Sequence, residues 1–309
     1  MWRRWIITLL FSSLIISSKG LAKDFSIVTT IFPMKEFAQA VGGDRVNVHL
    51  LLPPGAEPHT WEPRPSDIIR LSHADIFIYT DAEMEPWVEG VLESINNPKL
   101  FIIEASQGLP LLCIDNLSQL HDDSFVKKES THRGVDPHFW LNFEYDQRVV
   151  DKIANALSKK DPEGAEYYRT NAEKYKKRLQ GLDLKYRKEL SNCKCKEFIV
   201  GGHAAFSYLA KRYGLKQISL YGINPNSEPT PKKMAEVIKL ARKYQVRAIY
   251  FEEIVSDKLA QVIAKEVGAK VLVLNPGANL KRKQIESGVT FLSLMEKNLE
   301  NLKYGLICK

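Results

Sequence analysis

The chain has 309 residues, four cysteines and a formal charge of +7. Residues 1–22 carry Arg3, Arg4 and Lys19 and no acid, so their removal leaves +4, a mild excess spread along the chain that gives no argument for a nucleic-acid partner. The roughly 290 residues that follow exceed one typical hydrophobic core and imply two domains.

Residues 1–22 read as a targeting segment. Arg3 and Arg4 give a positive start, Trp5 to Ser17 is apolar or small, and Gly20-Leu21-Ala22 offers a small-x-small cleavage site. The apolar run falls short of the ~20 residues that a spanning helix needs. No cysteine follows it, so no lipoprotein attachment is expected and the mature protein is read as exported to the periplasm. Export in turn makes a disulfide plausible.

The first half alternates strands and helices. Ser26–Phe32 is β-branched and apolar, a strand; Met34–Val41 is a helix closed by Gly42-Gly43; Val46–Leu50 is a strand. Leu51 to Pro65 then holds five prolines and a glycine. Each proline fixes its own φ and removes a backbone donor, so His59 sits on a stiff loop. The carboxyl end of a strand is where α/β proteins hold ligands. A helix from Ser66 to Ser72, a strand Ile76–Tyr79, a helix Trp87–Ile95 and a strand Leu100–Ile103 follow. Short apolar strands separated by helices imply a parallel sheet covered on both faces.

Residues 115–135 break this pattern: they are polar and not periodic. A loop of that length is functional or disordered. It contains His121, Asp122, Asp123 and His132, an auxiliary set of weak metal ligands, and is expected to be mobile and dispensable for a main site. Order returns at Asp136-Pro137-His138-Phe139-Trp140-Leu141, which puts a second histidine at the edge of structure. Glu144–Leu157 and Pro162 to about Leu190 are helical, Asp161-Pro162 marking a helix start. The second of these, at 1.5 Å per residue, would reach roughly 43 Å and connect both domains rigidly.

The second half repeats the alternation. Strands are expected at Phe198–Val200, Gln217–Leu220, Ala248–Phe251 and Val271–Leu274. Helices are expected up to Tyr213, from Pro231 to Tyr244, over Asp257–Val267 and over Gln284–Leu302. His203 follows the first of these strands after Gly201-Gly202. The chain thus divides into a targeting segment (1–22), an N-terminal α/β lobe (23–143), a helical region with the long linking helix (144–192) and a C-terminal α/β lobe (193–309).

Of seven histidines, His59, His138 and His203 stand just past strand ends or apolar runs. His49, within a strand, and His73, at a helix end, are read as structural. Three imidazoles suit zinc, which takes nitrogen ligands tetrahedrally at about 2.0–2.1 Å. No local motif links the three, so the zinc reading needs the lobes to face each other. Cys193-x-Cys195 departs from the usual zinc spacing, C-x₂₋₄-C with a second pair, and is not read as a metal clip. Cys308 is expected to form a disulfide, its partner among Cys113, Cys193 and Cys195 left open.

Several stretches together resemble the zinc/manganese substrate-binding proteins of ABC transporters. They are Leu52-Pro53-Pro54-Gly55-Ala56-Glu57-Pro58-His59-Thr60-Trp61-Glu62-Pro63-Arg64-Pro65-Ser66-Asp67, Ala74-Asp75, Glu83-Met84-Glu85, Asp136-Pro137-His138-Phe139-Trp140, Gly202-His203-Ala204-Ala205-Phe206 and Phe251-Glu252. The resemblance covers essentially the whole chain after residue 22. It implies two α/β lobes, each with a four-stranded parallel sheet flanked by helices, joined by one long rigid helix. It implies a metal held between the lobes by His59, His138 and His203. The family's fourth ligand is usually an aspartate after the last strand, where this chain has Asn275. Either its amide oxygen faces the metal weakly, or water or a nearby acid such as Glu57 completes the tetrahedron with Asn275 as a hydrogen-bond partner. Asn275→Asp is expected to tighten zinc binding about tenfold. His203 favours zinc over manganese, since manganese-selective relatives often carry glutamate there.

Capture of Zn²⁺ in the periplasm and delivery to a membrane permease with its cytoplasmic ATPase is the function that the resemblance implies, for a monomer without nucleic acid. A Mn²⁺ or Fe²⁺ carrier of the same family is the near alternative. Three histidines with an open position also describe a zinc hydrolase, but nothing resembles a nucleophile motif and the protein is not expected to be an enzyme.

Overall fold

The computed structural model describes residues 24–114, 134–223, 229–254 and 256–309. The targeting segment and the auxiliary set His121, Asp122, Asp123 and His132 lie outside the described residues. Among the described residues no helix is long and apolar enough to cross a membrane.

In the first lobe, β1 (Phe25–Thr29), α1 (Phe32–Gly42), β2 (Val46–Leu50), α2 (Pro65–Ser72), β3 (Ile76–Tyr79), α3 (Val88–Ser94) and β4 (Phe101–Glu104) follow in chain order. The strands form a parallel sheet in the order β2-β1-β3-β4. The second lobe holds β5 (Glu197–Val200), α6 (Ser207–Tyr213), β6 (Lys216–Ser219), α7 (Pro231–Lys243), β7 (Ala248–Phe251), α8 (Lys258–Val267) and β8 (Lys270–Val273). Its parallel sheet has the order β6-β5-β7-β8, the same topology again. Both sheets therefore reverse strand order beside their first strand, and the crevice at the carboxyl ends there is the expected ligand position.

Between the sheets run α4 (Phe143–Lys160) and α5 (Ala165–Ser191). The 27 residues of α5 span about 40 Å at 1.5 Å per residue. Tyr168, Ala172, Tyr175, Leu179, Leu182, Tyr186 and Leu190 recur at three- and four-residue spacing and are all buried, the stripe of an amphipathic helix packed along its length. One continuous core joins the lobes: Phe37 of α1 meets Phe291 edge-on at 5.4 Å between centroids, and Phe143 meets Tyr186 at 5.1 Å. The Arg212 guanidinium adds a polar tie, donating to both Asp183 oxygens at 2.6 and 2.8 Å and to Glu144 at 2.9 Å.

The final helix departs from expectation. Instead of one run over Gln284–Leu302 there are two, α9 (Arg282–Glu286) and α10 (Phe291–Leu306). Gly288 between them takes φ +72°, and Thr290 starts α10 afresh by accepting the Ser293 amide at 3.2 Å. Cys308, just past α10, is bonded to Cys193. This assigns the open partner and leaves Cys113 and Cys195 as free thiols.

Candidate metal centre

His59, His138 and His203 converge. His59 is carried by the proline-rich loop after β2 and is half-buried; its backbone amide donates to Glu57 Oε1 at 3.3 Å. His138 precedes a 3₁₀ turn, Phe139–Leu141, whose three apolar side chains are fully buried and anchor the segment. His203 follows β5, at the point where the second sheet reverses its strand order. The Nε2 of His138 lies 3.2 Å from that of His59 and 3.1 Å from that of His203. Ring centroids form a near-equilateral triangle of 5.1, 5.4 and 5.1 Å. Tetrahedral zinc with bonds near 2.0–2.1 Å sets its donors about 3.3 Å apart, so the three nitrogens stand at the separation that such an ion requires. Among the described residues this is the one group of three or more histidine, cysteine or acidic side chains able to hold a metal ion.

Two carboxylates determine which ring nitrogen faces inward. Asp136 Oδ1 lies 2.8 Å from His138 Nδ1, and Glu252 Oε1 lies 2.7 Å from His203 Nδ1. Each carboxylate takes the Nδ1 hydrogen, which leaves the Nε2 lone pair for a cation and raises its basicity. Asp136 and Glu252 stand inside the recognised motifs, but sequence alone assigned them no role. The available signals were the two-residue spacing to His138 and a position directly after β7, the neighbour of β5. Gly201-Gly202 makes the second contact possible. A Cβ on Gly202 would lie 2.5 Å from Glu252 Oε1, and one on Gly201 2.8 Å from the Ala260 Cβ.

Burial keeps two rings neutral: it lowers His59, with help from the nearby His138 and His203, to about 2, and it holds His138 well below the ordinary value. His203 goes the other way, because although burial pushes it down, the Glu252 carboxylate outweighs this and the net shift is upward. Protons therefore compete with a cation mainly at His203. Affinity should fall by up to about tenfold per pH unit as the pH drops through the raised His203 pKa, as one proton must be displaced. Calorimetry across pH 5.5 to 8 checks this; a slope near three decades per unit would mean that all three imidazoles titrate together.

The Asn275 side chain, a candidate for the fourth position, is engaged with other partners. Its amide oxygen accepts the Gly277 N–H at 2.8 Å and its amide nitrogen donates to Glu253 at 3.1 Å. The side chain thus caps the turn after β8. Asn275→Asp removes the donor and sets a carboxylate against Glu253, so it should cost about 1–3 kcal/mol of stability without tightening metal binding. Denaturant unfolding and calorimetry measure the two effects; a tenfold gain in zinc affinity would return this position to the metal. Glu57, by contrast, has a buried Oε2 with no hydrogen-bond partner. Burial raises its pKa, opposed by the charge of His203.

Residues 27–305 match the family described as "ZnuA: Zinc-uptake complex component A periplasmic". The chain belongs to this family. Members are metal-uptake components, which sets the hydrolase alternative aside. The chain is 37% identical over 297 residues to the high-affinity zinc uptake system protein ZnuA of Bacillus subtilis, covering 95% of this chain and 92% of that one. It is 38% identical over 284 residues to the zinc-binding protein AdcA of Streptococcus pyogenes, covering 90% of this chain but 55% of that protein. The crystal structure of the Zn(II)-bound ZnuA-like domain of Streptococcus pneumoniae AdcA superposes with a TM-score of 0.77 at 36% identity, over 92% of this chain and 99% of that one.

Proposed function

We propose that this protein captures Zn²⁺ between its lobes through the Nε2 atoms of His59, His138 and His203 and hands it to an ABC permease with its cytoplasmic ATPase. The observation that carries the reading is the set of Nε2 separations, 3.2 and 3.1 Å, with Asp136 and Glu252 behind two of the rings. The partnerless oxygen of Glu57 supports that residue as the fourth donor, since a buried carboxylate oxygen without a partner is costly unless something binds it. Three nitrogens and one oxygen favour zinc over the Mn²⁺ or Fe²⁺ carrier, as imidazole suits zinc and carboxylate suits manganese. Export through residues 1–22 to the periplasm, with residues 23–143 and 193–309 as the lobes and 144–192 as the link, completes the reading.

Mass spectrometry of the protein purified from the periplasm should find one zinc per chain. Manganese or iron at that stoichiometry would overturn the choice of metal. Delivery is tested by zinc uptake in cells lacking this protein, which should fall at limiting zinc and recover with the wild-type chain but not with His138→Ala.

A further inference from the structure

The segment after β8 crosses from the second lobe to the first and lies against all the first-lobe elements that frame the metal centre. The Pro276 carbonyl accepts the Trp140 indole N–H at 2.7 Å, the Ala278 carbonyl accepts the Phe32 amide at 2.9 Å, and the Leu280 carbonyl accepts the Gly55 amide at 2.9 Å. Asn279, 1% exposed, makes the closest connection. Its Nδ2 donates to Pro53 O at 2.7 Å and to Ala56 O at 2.8 Å, while its Oδ1 accepts the Leu280 amide at 2.8 Å. The two donated bonds go to the loop that runs on to Glu57 and His59.

Within the loop the Ala56 amide donates to the Pro53 carbonyl at 3.0 Å, but Pro53, Pro54 and Pro58 have no amide hydrogen, so donors are few and its contacts with the second lobe add most to its placement. Asn279 is a buried amide that makes two of them from the opposite lobe. Resting on the zinc reading above, we propose that Asn279 is a positioning residue for metal capture: it clasps the Pro53–Ala56 loop to the second lobe and so sets His59 at its distance from His138 and His203. Losing a residue that orients a metal ligand typically costs 10–100-fold in metal affinity.

Asn279→Asp tests this, because it keeps the shape and the acceptor for Leu280 but loses both donated bonds and opposes two carbonyls with a carboxylate. Zinc affinity would be measured by chelator competition in the wild-type and His59→Ala backgrounds. The expected result is a ten- to hundredfold loss in the first and less than about threefold in the second, since a residue acting through His59 has nothing left to position once His59 is gone. An equal loss in both backgrounds, or no loss in the wild type, overturns the proposal. Unchanged affinity for His59→Ala alone would overturn the ligand assignment itself, a separate outcome. Asn279→Ala, which lacks the repulsive carboxylate, gives the same comparison should the aspartate variant not fold.

Discussion

Zinc affinity should fall by two to three orders of magnitude when His138 is replaced by alanine. Zinc sites with four protein ligands hold the ion with about 10–16 kcal/mol. One ligand in four therefore accounts for about 3–4 kcal/mol, which is a factor of several hundred. His138 is the strongest choice among the three histidines because its Nε2 is the one within 3.2 Å of both others. It is also 1% exposed and held by Asp136. The fold should survive: the imidazole packs on Trp140, but the surrounding core is built from many other apolar side chains. Chelator competition gives the affinity and circular dichroism the fold. A folded variant that binds zinc as tightly as wild type would remove His138 from the metal.

Breaking the Cys193–Cys308 bond, by Cys193→Ser with Cys308→Ser, should destabilise the protein by about 4–5 kcal/mol. The bond closes a separation of 115 residues, and cross-linking a loop of about 100 residues removes about 4.7 kcal/mol of chain entropy from the unfolded state. Against a total stability of about 5–15 kcal/mol, that is more than a quarter. All four strands of the second sheet, with His203, lie inside the closed loop, while His59 and His138 lie outside it. The folded double-serine variant should therefore bind zinc within about threefold of wild type, since the bond constrains mainly the unfolded chain. Urea unfolding with and without the bond separates stability from affinity. A difference below 1 kcal/mol would show that the second lobe does not rely on this closure.

Most of the local architecture was legible residue by residue. Val46–Leu50, Ile76–Tyr79 and Ala248–Phe251 were expected as strands and occur with those bounds, because short apolar, largely β-branched or aromatic runs ended by turn residues suit only a buried strand. The long helix α5 was legible from its three- and four-residue spacing of tyrosine and leucine. The break between α9 and α10 was missed: a single glycine inside a helical pattern is tolerable in a helix, whereas here Gly288 takes φ +72° and the Phe291 amide at the start of α10 donates to Glu36 of α1.

A parallel α/β chain in repeated halves, a stiff proline loop carrying His59, and three histidines at the ends of ordered segments were readable from the residues alone. Each of those properties depends on residues within one strand, turn or helix of each other. Tertiary structure alone decided that the three imidazoles meet, that Asp136 and Glu252 aim their Nε2 atoms inward, that Asn275 serves a turn, and that Cys308 pairs with Cys193. The histidines are 79 and 65 residues apart along the chain but 3.2 and 3.1 Å apart at Nε2. Separations of that kind are set by how two sheets pack through a shared core, and composition, periodicity and spacing carry no record of them.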